Sequence, residues 1–336
     1  MGVTRKDVAK LAGVSETTVS FVLSGKRYVS DDLIQKVNAA VKQLNYHPDM
    51  IAKTMKGKKT HSVAVLINDF TNPLHMQMIQ SIENTAMDNG YFVNICGGNV
   101  HLDRYLDEFV SRRVDGVFIV ATAENLTSEN IALLLDNGIS VVFGSVNNFM
   151  DERICGVAID FEKGMDDIIS YLKSSGHKKI AYFSSYDCGL NDVRLDYFKR
   201  AMKRYFNDDD PIVEGGTDFK ESAMRTGYDL AKRLMASKKE YTAVVCMNDM
   251  LAMGAIAAFQ DSGVKVPDDV SVVGIDDISF AEEYAGGLTT LSHKADLFGK
   301  KVFEVLKNNI TDKQCVGREI IVPELIVRKT TKKLNA

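Results

Sequence analysis

Ser15, Glu16, Thr17, Thr18, Ser20 and Phe21 place four hydroxyls, a carboxylate and an aromatic edge within two helical turns. At helical spacing Glu16, Thr17, Ser20 and Phe21 point away from Val19, Val22 and Leu23. Side chains of these types, displayed together, suit a groove lined with phosphates and base edges. A second polar set is spread over Asn68-Asp69-Phe70-Thr71-Asn72-Pro73, Gly97-Gly98-Asn99, Ser145, Ser184–Leu190, Asn248-Asp249 and Asp276-Asp277. Asn, Asp, Ser and aromatics in such loops offer the chemistry of a polyhydroxylated ligand. Other groupings carry less. Gly57-Lys58-Lys59-Thr60 lacks the upstream glycine and strand of a phosphate loop, and no G-x-G-x-x-G follows a strand. His177 and His293 lie far apart without metal spacing and read as surface or turn residues. With no nucleophile–base pair or cofactor loop, the expectation is a non-enzyme without metal or cofactor.

The elements that must position these residues follow from local signals. Thr4 and Asp7 have capping-box spacing, which predicts a helix from Arg5 to Ala12. Gly13 suits the left-handed residue that ends it, and Ser15 caps the next helix. Two short helices joined by a Gly-containing turn make a helix-turn-helix, with Val8, Leu11, Val14, Val19, Val22 and Leu23 inward. A third helix, capped by Ser30, spans Asp31–Leu44, so the second can lie in a major groove. Pro48, Asp49 and Gly57 bracket a segment of barely two turns. A helix that short is marginal alone and is expected to form only against DNA and its own copy.

Net charge over the 336 residues is −4, yet residues 1–60 hold 11 Lys/Arg against 5 Asp/Glu, a net +6. The remainder carries −10, so a basic head sits on an acidic body that has no use for phosphate. Five cysteines without C-x-x-C spacing read as structural thiols in a reducing cytosol. No apolar signal region or membrane-length apolar run is present, so a cytoplasmic, soluble protein without membrane contact is expected.

From Ser62 short apolar strands alternate with amphipathic helices. Strands are predicted at Ser62–Ile67, Phe92–Cys96, Gly116–Val120, Ser140–Phe143, Lys179–Phe183, Ala243–Cys246 and Ser271–Ile275. Helical patterns fall near 74–89, 102–112, 128–137, 161–175, 191–205, 223–236, 249–262 and 295–308. Such alternation argues parallel sheets with helices on both faces, in two lobes. Ligands of such sheets sit at the carboxyl ends of the strands.

The runs DVAKLAGVS, TTVS, VLSGK, YVS and LNYHPD, and later NDMLAMGAIAAF and VSVVGIDDI, resemble the lactose-repressor/galactose-repressor (LacI/GalR) family of bacterial transcription regulators. The resemblance covers essentially the whole chain. It implies an all-α helix-turn-helix headpiece at 1–46, a hinge helix and linker at 47–59, and an effector-binding core at 60–336. That core is implied to be α/β and periplasmic-binding-protein-like, with two doubly wound parallel-sheet subdomains. Their implied bounds are about 60–160 with 293–322 and about 161–292 with 323–330. It also implies a homodimer on palindromic operator DNA, acting as a repressor under control of a small effector. A sugar or sugar derivative is the first expectation, a nucleobase or other non-sugar effector the second, and a solute-binding protein a weaker rival.

Carried over residue by residue, Ser15, Thr18 and Ser20 would hold phosphates and Glu16, Thr17 and Phe21 would face base edges. Thr4, Tyr28, Asn45, Tyr46, His47, Ala52 and Lys53 would add DNA contacts, and Met55 would enter the minor groove. The effector would meet Asp69, Phe70, Ser145, Arg194, Phe219, Asn248 and Asp276, although Asn248 and Asp249 could merely cap a helix and Asp276 a turn. Four positions depart from the family pattern: Phe21 replaces an arginine, Met55 the wedge leucine, Ser145 an aspartate and Tyr197 a glycine. Phe21 has no donor for a guanine, and its edge is best matched by a thymine methyl.

Overall fold

The computed structural model describes residues 3–25, 27–47, 59–67, 70–120, 126–144, 154–185, 193–215, 223–312 and 317–334. The chain divides into two compact units, Met1–Thr60 and His61–Ala336.

In the first unit, helix α1 (Arg5–Ala12) opens with a complete capping box. The Thr4 N–H donates to Asp7 Oδ2 at 2.9 Å, and the Asp7 N–H donates to Thr4 Oγ1 at 3.4 Å. Gly13 ends α1 at φ 66°, where a side chain would be strained. Ser15 caps α2 (Glu16–Ser24) by accepting from the Thr18 N–H at 3.0 Å. Ser30 occupies the cap position of α3 (Asp31–Leu44) but makes no side-chain bond there, which corrects the expectation of a serine cap. Asp31 and Asp32 in its first turn instead face the positive end of the helix dipole. Val8, Ala9, Val19, Val37, Ala40 and Tyr46 form the small core. Leu11, expected inside, is 45% exposed, because Val8, Ala9 and Ala12 set the inward face of α1 and leave Leu11 off it.

From His61 onward strands and helices alternate. The first run is β1 (Ser62–Ile67), α4 (Pro73–Asp88), β2 (Phe92–Gly97), α5 (Gly98–Arg112), β3 (Gly116–Val120), α6 (Ser128–Asp136), β4 (Ser140–Gly144) and β5 (Cys155–Ile159). The second is α7 (Phe161–Ser174), β6 (Ile180–Ser184), α8 (Val193–Phe206), β7 (Ile212–Gly215), α9 (Ala223–Ala236), β8 (Ala243–Cys246) and α10 (Asp249–Asp261). The chain continues through β9 (Ser271–Asp276), β10 (Thr289–Ser292), α11 (Ala295–Asp312), β11 (Arg318–Ile321) and β12 (Glu324–Ile326).

These strands build two six-stranded sheets, in the orders β11-β5-β4-β3-β1-β2 and β12-β10-β9-β8-β6-β7. Every pairing is parallel except β12 on β10. The chain passes between the sheets after β5, after β10 and again after β11. Alternate residues bury opposite faces, which explains the apolar runs. Val63, Val65 and Ile67 of β1 pack with α4 and α11, while Ala64 and Leu66 pack with α5 and α6. In the second sheet Ala181 and Phe183 pack with α9 and α10, whereas Ile180 and Tyr182 pack with α7 and α8.

Strands β7, β10, β11 and β12 are three or four residues long and carry too little pattern to be read from sequence, and the five-residue β5 was not predicted either. Cys96 and Cys246 are free thiols, whereas Cys155 is disulfide-bonded with its partner outside the described residues. That corrects the expectation of five thiols. Among the described residues no helix is long and apolar enough to cross a membrane.

Candidate functional site

On the first unit, the outward face of α2 exposes Glu16 and Thr17, with Ser20 and Phe21 half-buried beside them. Ser15 Oγ and Thr18 Oγ1 lie 2.9 Å apart at its N-terminus, where backbone N–H groups and the dipole favour an anion. Tyr28 is 96% exposed and His47 is exposed, so both are open to a partner. Thr4 is engaged in its capping box. Asn45 is the left-handed residue that ends α3, and Tyr46 packs into the small core, 7% exposed. Ala52, Lys53 and Met55 lie outside the described residues. One contact was not anticipated: the Arg27 guanidinium carbon sits over the Phe21 ring, 5.2 Å from its centroid.

In the second unit Arg194, Asn248, Asp276 and His293 gather at the carboxyl ends of β6, β8, β9 and β10. This is where a doubly wound sheet reverses strand order and opens a crevice. Arg194, in the first turn of α8, donates through Nη1 to the Met247 carbonyl that follows β8. Its guanidinium lies 4.5 Å from the ring centroid of Phe161, the first residue of α7, and 3.6 Å from Asp276 Oδ1. Asp276 ends β9 with φ at 134° and Asp277 follows at 57°, two left-handed conformations in succession. Residues held in such conformations cluster where surrounding structure fixes a functional geometry. Asp277 helps hold the bend: its carboxylate receives Arg328 Nη2 at 2.9 Å, and its N–H donates to Thr290 Oγ1 at 3.3 Å.

His293 completes the group, with Nδ1 3.9 Å from Asp276 Oδ1 and the ring packed edge-on against Phe161. It is 1% exposed, as is His177, so neither imidazole is the surface residue its sequence neighbours suggested. His177 is satisfied structurally by Thr242 Oγ1 at 2.9 Å and the Lys332 carbonyl at 3.1 Å. His293 differs. Neither of its ring nitrogens, nor Asp276 Oδ1, has a hydrogen-bond partner among the described residues. Burial pushes the His293 imidazole well below its ordinary value, and Arg194 and His75 act in the same direction. Burial pushes the Asp276 carboxyl well above the carboxylate range, with Arg194 opposing and Asp249 adding to it.

The remaining expected contacts divide. Asn248 caps α10, its Oδ1 accepting from the Leu251 N–H at 2.8 Å. Asp249 is buried beneath β9 and β10, bonded to Thr290 Oγ1 and to the Ile278 N–H at 2.9 Å. Gly274 makes room for it, since a Cβ there would overlap Asp249 Oδ1. Phe70 is 50% exposed and lies over Gly97, where a Cβ would stand 2.7 Å from its Cε2. Asp69, Ser145 and Phe219 lie outside the described residues. Sequence reasoning missed Phe161 and His293; the run Leu288-Thr289-Thr290-Leu291 ahead of His293, with β-branched residues between two leucines, was the one signal that a strand ends there.

Residues 4–49 match the bacterial regulatory proteins of the lacI family, and residues 169–331 match the periplasmic binding protein-like domain. Along 99% of both chains, 35% of residues are identical to the HTH-type transcriptional repressor PurR of Vibrio parahaemolyticus. The chain belongs to the lacI family. Another member, the PurR repressor of Vibrio campbellii, is 33% identical over 99% of both chains. The fold matches the lac repressor dimer bound to operator and the anti-inducer ONPF, with a TM-score of 0.82, 28% identity, and 99% and 100% of the two chains covered. This lacI-family chain is a DNA-binding transcriptional repressor whose helical headpiece precedes two parallel-sheet subdomains.

Proposed function

We propose that the chain acts as a homodimer on a palindromic operator and that a small effector bound between the core subdomains sets its operator affinity. Residues 1–46 read DNA, with Ser15, Thr18 and Ser20 on phosphates and Glu16, Thr17 and Phe21 toward base edges. Residues 47–59 link this headpiece to the core at 60–336, and Met55 of each copy wedges into the minor groove. The effector changes the angle between subdomains and hence the separation of the two linkers. A coupling of about 1–3 kcal/mol would alter operator affinity roughly 5- to 150-fold.

The observation that carries the effector reading is the cluster of unpartnered polar atoms on Asp276 and His293, beside Arg194. Leaving a buried donor or acceptor unpaired costs about 1–3 kcal/mol, a cost a ligand recovers by supplying the partner. A neutral imidazole presents one donor and one acceptor, and a guanidinium presents several fixed donors. A sugar hydroxyl, which both donates and accepts, satisfies His293 and Asp276 together. A nucleobase edge is the second reading, because it also alternates donors and acceptors. Its support is the 35% identity to a repressor named PurR, against 24% for a regulator solved with cellobiose. The test is a thermal-shift screen of sugars, sugar phosphates and purines, since a ligand of the folded state raises the melting temperature by mass action. A shift with purines alone retires the sugar reading; no shift with any class overturns both.

A further inference from the structure

Helix α2 carries no Lys or Arg among its nine residues, and Glu16 is its one charged side chain. A reading helix without a cation lacks the commonest means of recognising a guanine, the bidentate pairing to O6 and N7. The chain supplies a cation from elsewhere. Gly25 takes the left-handed conformation at φ 61°, and its N–H donates to the Phe21 carbonyl at 3.0 Å. That turn folds the chain back along the end of α2, so Arg27 arrives over the Phe21 ring, 5.2 Å from centroid to guanidinium carbon. Arg27 is exposed, and no carboxylate of the described residues forms an ion pair with it. Planar guanidinium on an aromatic face is a favourable pairing that leaves the in-plane N–H donors free to bond outward.

We infer that Phe21 is a platform and Arg27 the reading head: the guanidinium held over the ring takes a guanine edge of the operator half-site. Phe21 then needs no donor of its own, and the half-site keeps a fixed guanine where an apolar ring alone would favour thymine. The cation–π contact restricts the long arginine side chain before binding, so less rotamer freedom is lost on contact with the base. This inference rests on the operator-reading role proposed for α2.

The test is selection of bound duplexes from a random pool by the full-length protein, with Arg27→Ala, Arg27→Lys and Phe21→Leu in parallel. Phe21→Leu keeps the apolar bulk and removes the ring face; melting curves verify that each variant is folded. The expected result is a half-site guanine enriched by the wild type and lost with Arg27→Ala. Arg27→Lys, a point charge without the fork, loses most of the preference. Affinity for the guanine site should drop on the order of 10- to 100-fold with Arg27→Ala. Phe21→Leu should cause a similar drop, and the double variant Phe21→Leu/Arg27→Ala should be no worse than either alone. If Arg27→Ala weakens all duplexes equally and reduces the salt dependence by about one phosphate contact, the guanidinium is on the backbone and the inference is overturned. An enriched motif that Arg27→Ala leaves unchanged also overturns it, while leaving the proposed function standing. No enrichment by the wild type overturns both.

Discussion

His293 Nδ1 lies 3.9 Å from Asp276 Oδ1, and neither atom has a hydrogen-bond partner among the described residues. The separation is too long for a hydrogen bond. Burial drives the imidazole down and the carboxyl up, with the Arg194 guanidinium opposing the rise of the carboxyl. Two ring nitrogens and one carboxylate oxygen without hydrogen bonds, in a buried position, cost the unliganded fold stability. The arrangement makes sense for a site whose third member arrives from solution.

Replacing His293 with leucine separates stability from function. Removing two unpaired ring nitrogens should leave the melting temperature of the unliganded protein unchanged or raise it. Effector affinity measured by calorimetry should fall at least about 10-fold, the equivalent of one lost hydrogen bond of roughly 1.4 kcal/mol. A variant that melts lower and binds as tightly would make His293 a packing residue.

Arg194→Ala should abolish the effector response while operator affinity without effector stays near wild type. The guanidinium spans three groups, the Met247 carbonyl, Phe161 and Asp276, and Lys cannot reproduce that fork. Arg194→Lys should therefore recover little. Calorimetry with the effector and anisotropy with the operator read the two properties independently, and an unchanged effector titration would remove Arg194 from the site.

The sequence showed what local chemistry controls. Thr4, Asp7, Gly13 and Ser15 dictate their turns through backbone bonds a few residues away, and α1 and α2 lie where those signals place them. Arg194 and Asp276 came from the family resemblance, and the structure brings them to 3.6 Å. His293 had no local signal. Its neighbours Ser292 and Lys294 read as a turn, and its burial is set by the second sheet and by Phe161, more than a hundred residues away in the chain. Arg27 over Phe21 escaped for a related reason, because the contact depends on the reversal at Gly25.

Asp249 makes a pH prediction. Burial raises its carboxyl from 3.8 to about 6, although bonds from Thr290 and the Ile278 N–H oppose the rise. The folded chain thus holds this proton more tightly than the unfolded chain. The group's contribution is full below about pH 4 and is lost as pH rises through about 6, on the order of 3 kcal/mol. The buried His177 and His293 act oppositely, since the unfolded chain takes up their protons below about 6.5. Asp249→Asn should therefore be compared with wild type by denaturant unfolding at pH 4.5 and 7.5. The variant should gain relative stability at the higher pH; a difference that does not change with pH would contradict the assignment.

Helices α9 and α10 meet backbone to backbone. A Cβ at Gly254 would overlap the Met224 carbonyl oxygen, and one at Gly227 would overlap the Leu251 carbonyl oxygen. Neither obstacle is a flexible side chain, so the helices must separate. Gly254→Ala should destabilise the core by about 3 kcal/mol or more, visible as a lower denaturant midpoint. A loss under 0.5 kcal/mol would mean the helices part without cost.

The central claim is that a ligand held by Arg194, Asp276 and His293 controls operator affinity. It is tested most directly by fluorescence anisotropy on the pool-selected operator, titrated with the compound that raises the melting temperature. The wild type should change affinity between roughly 5- and 150-fold at saturation. His293→Leu and Arg194→Ala should bind the same operator and not respond. A thermally verified ligand that leaves wild-type operator affinity unchanged, or a full response in both variants, would contradict the account.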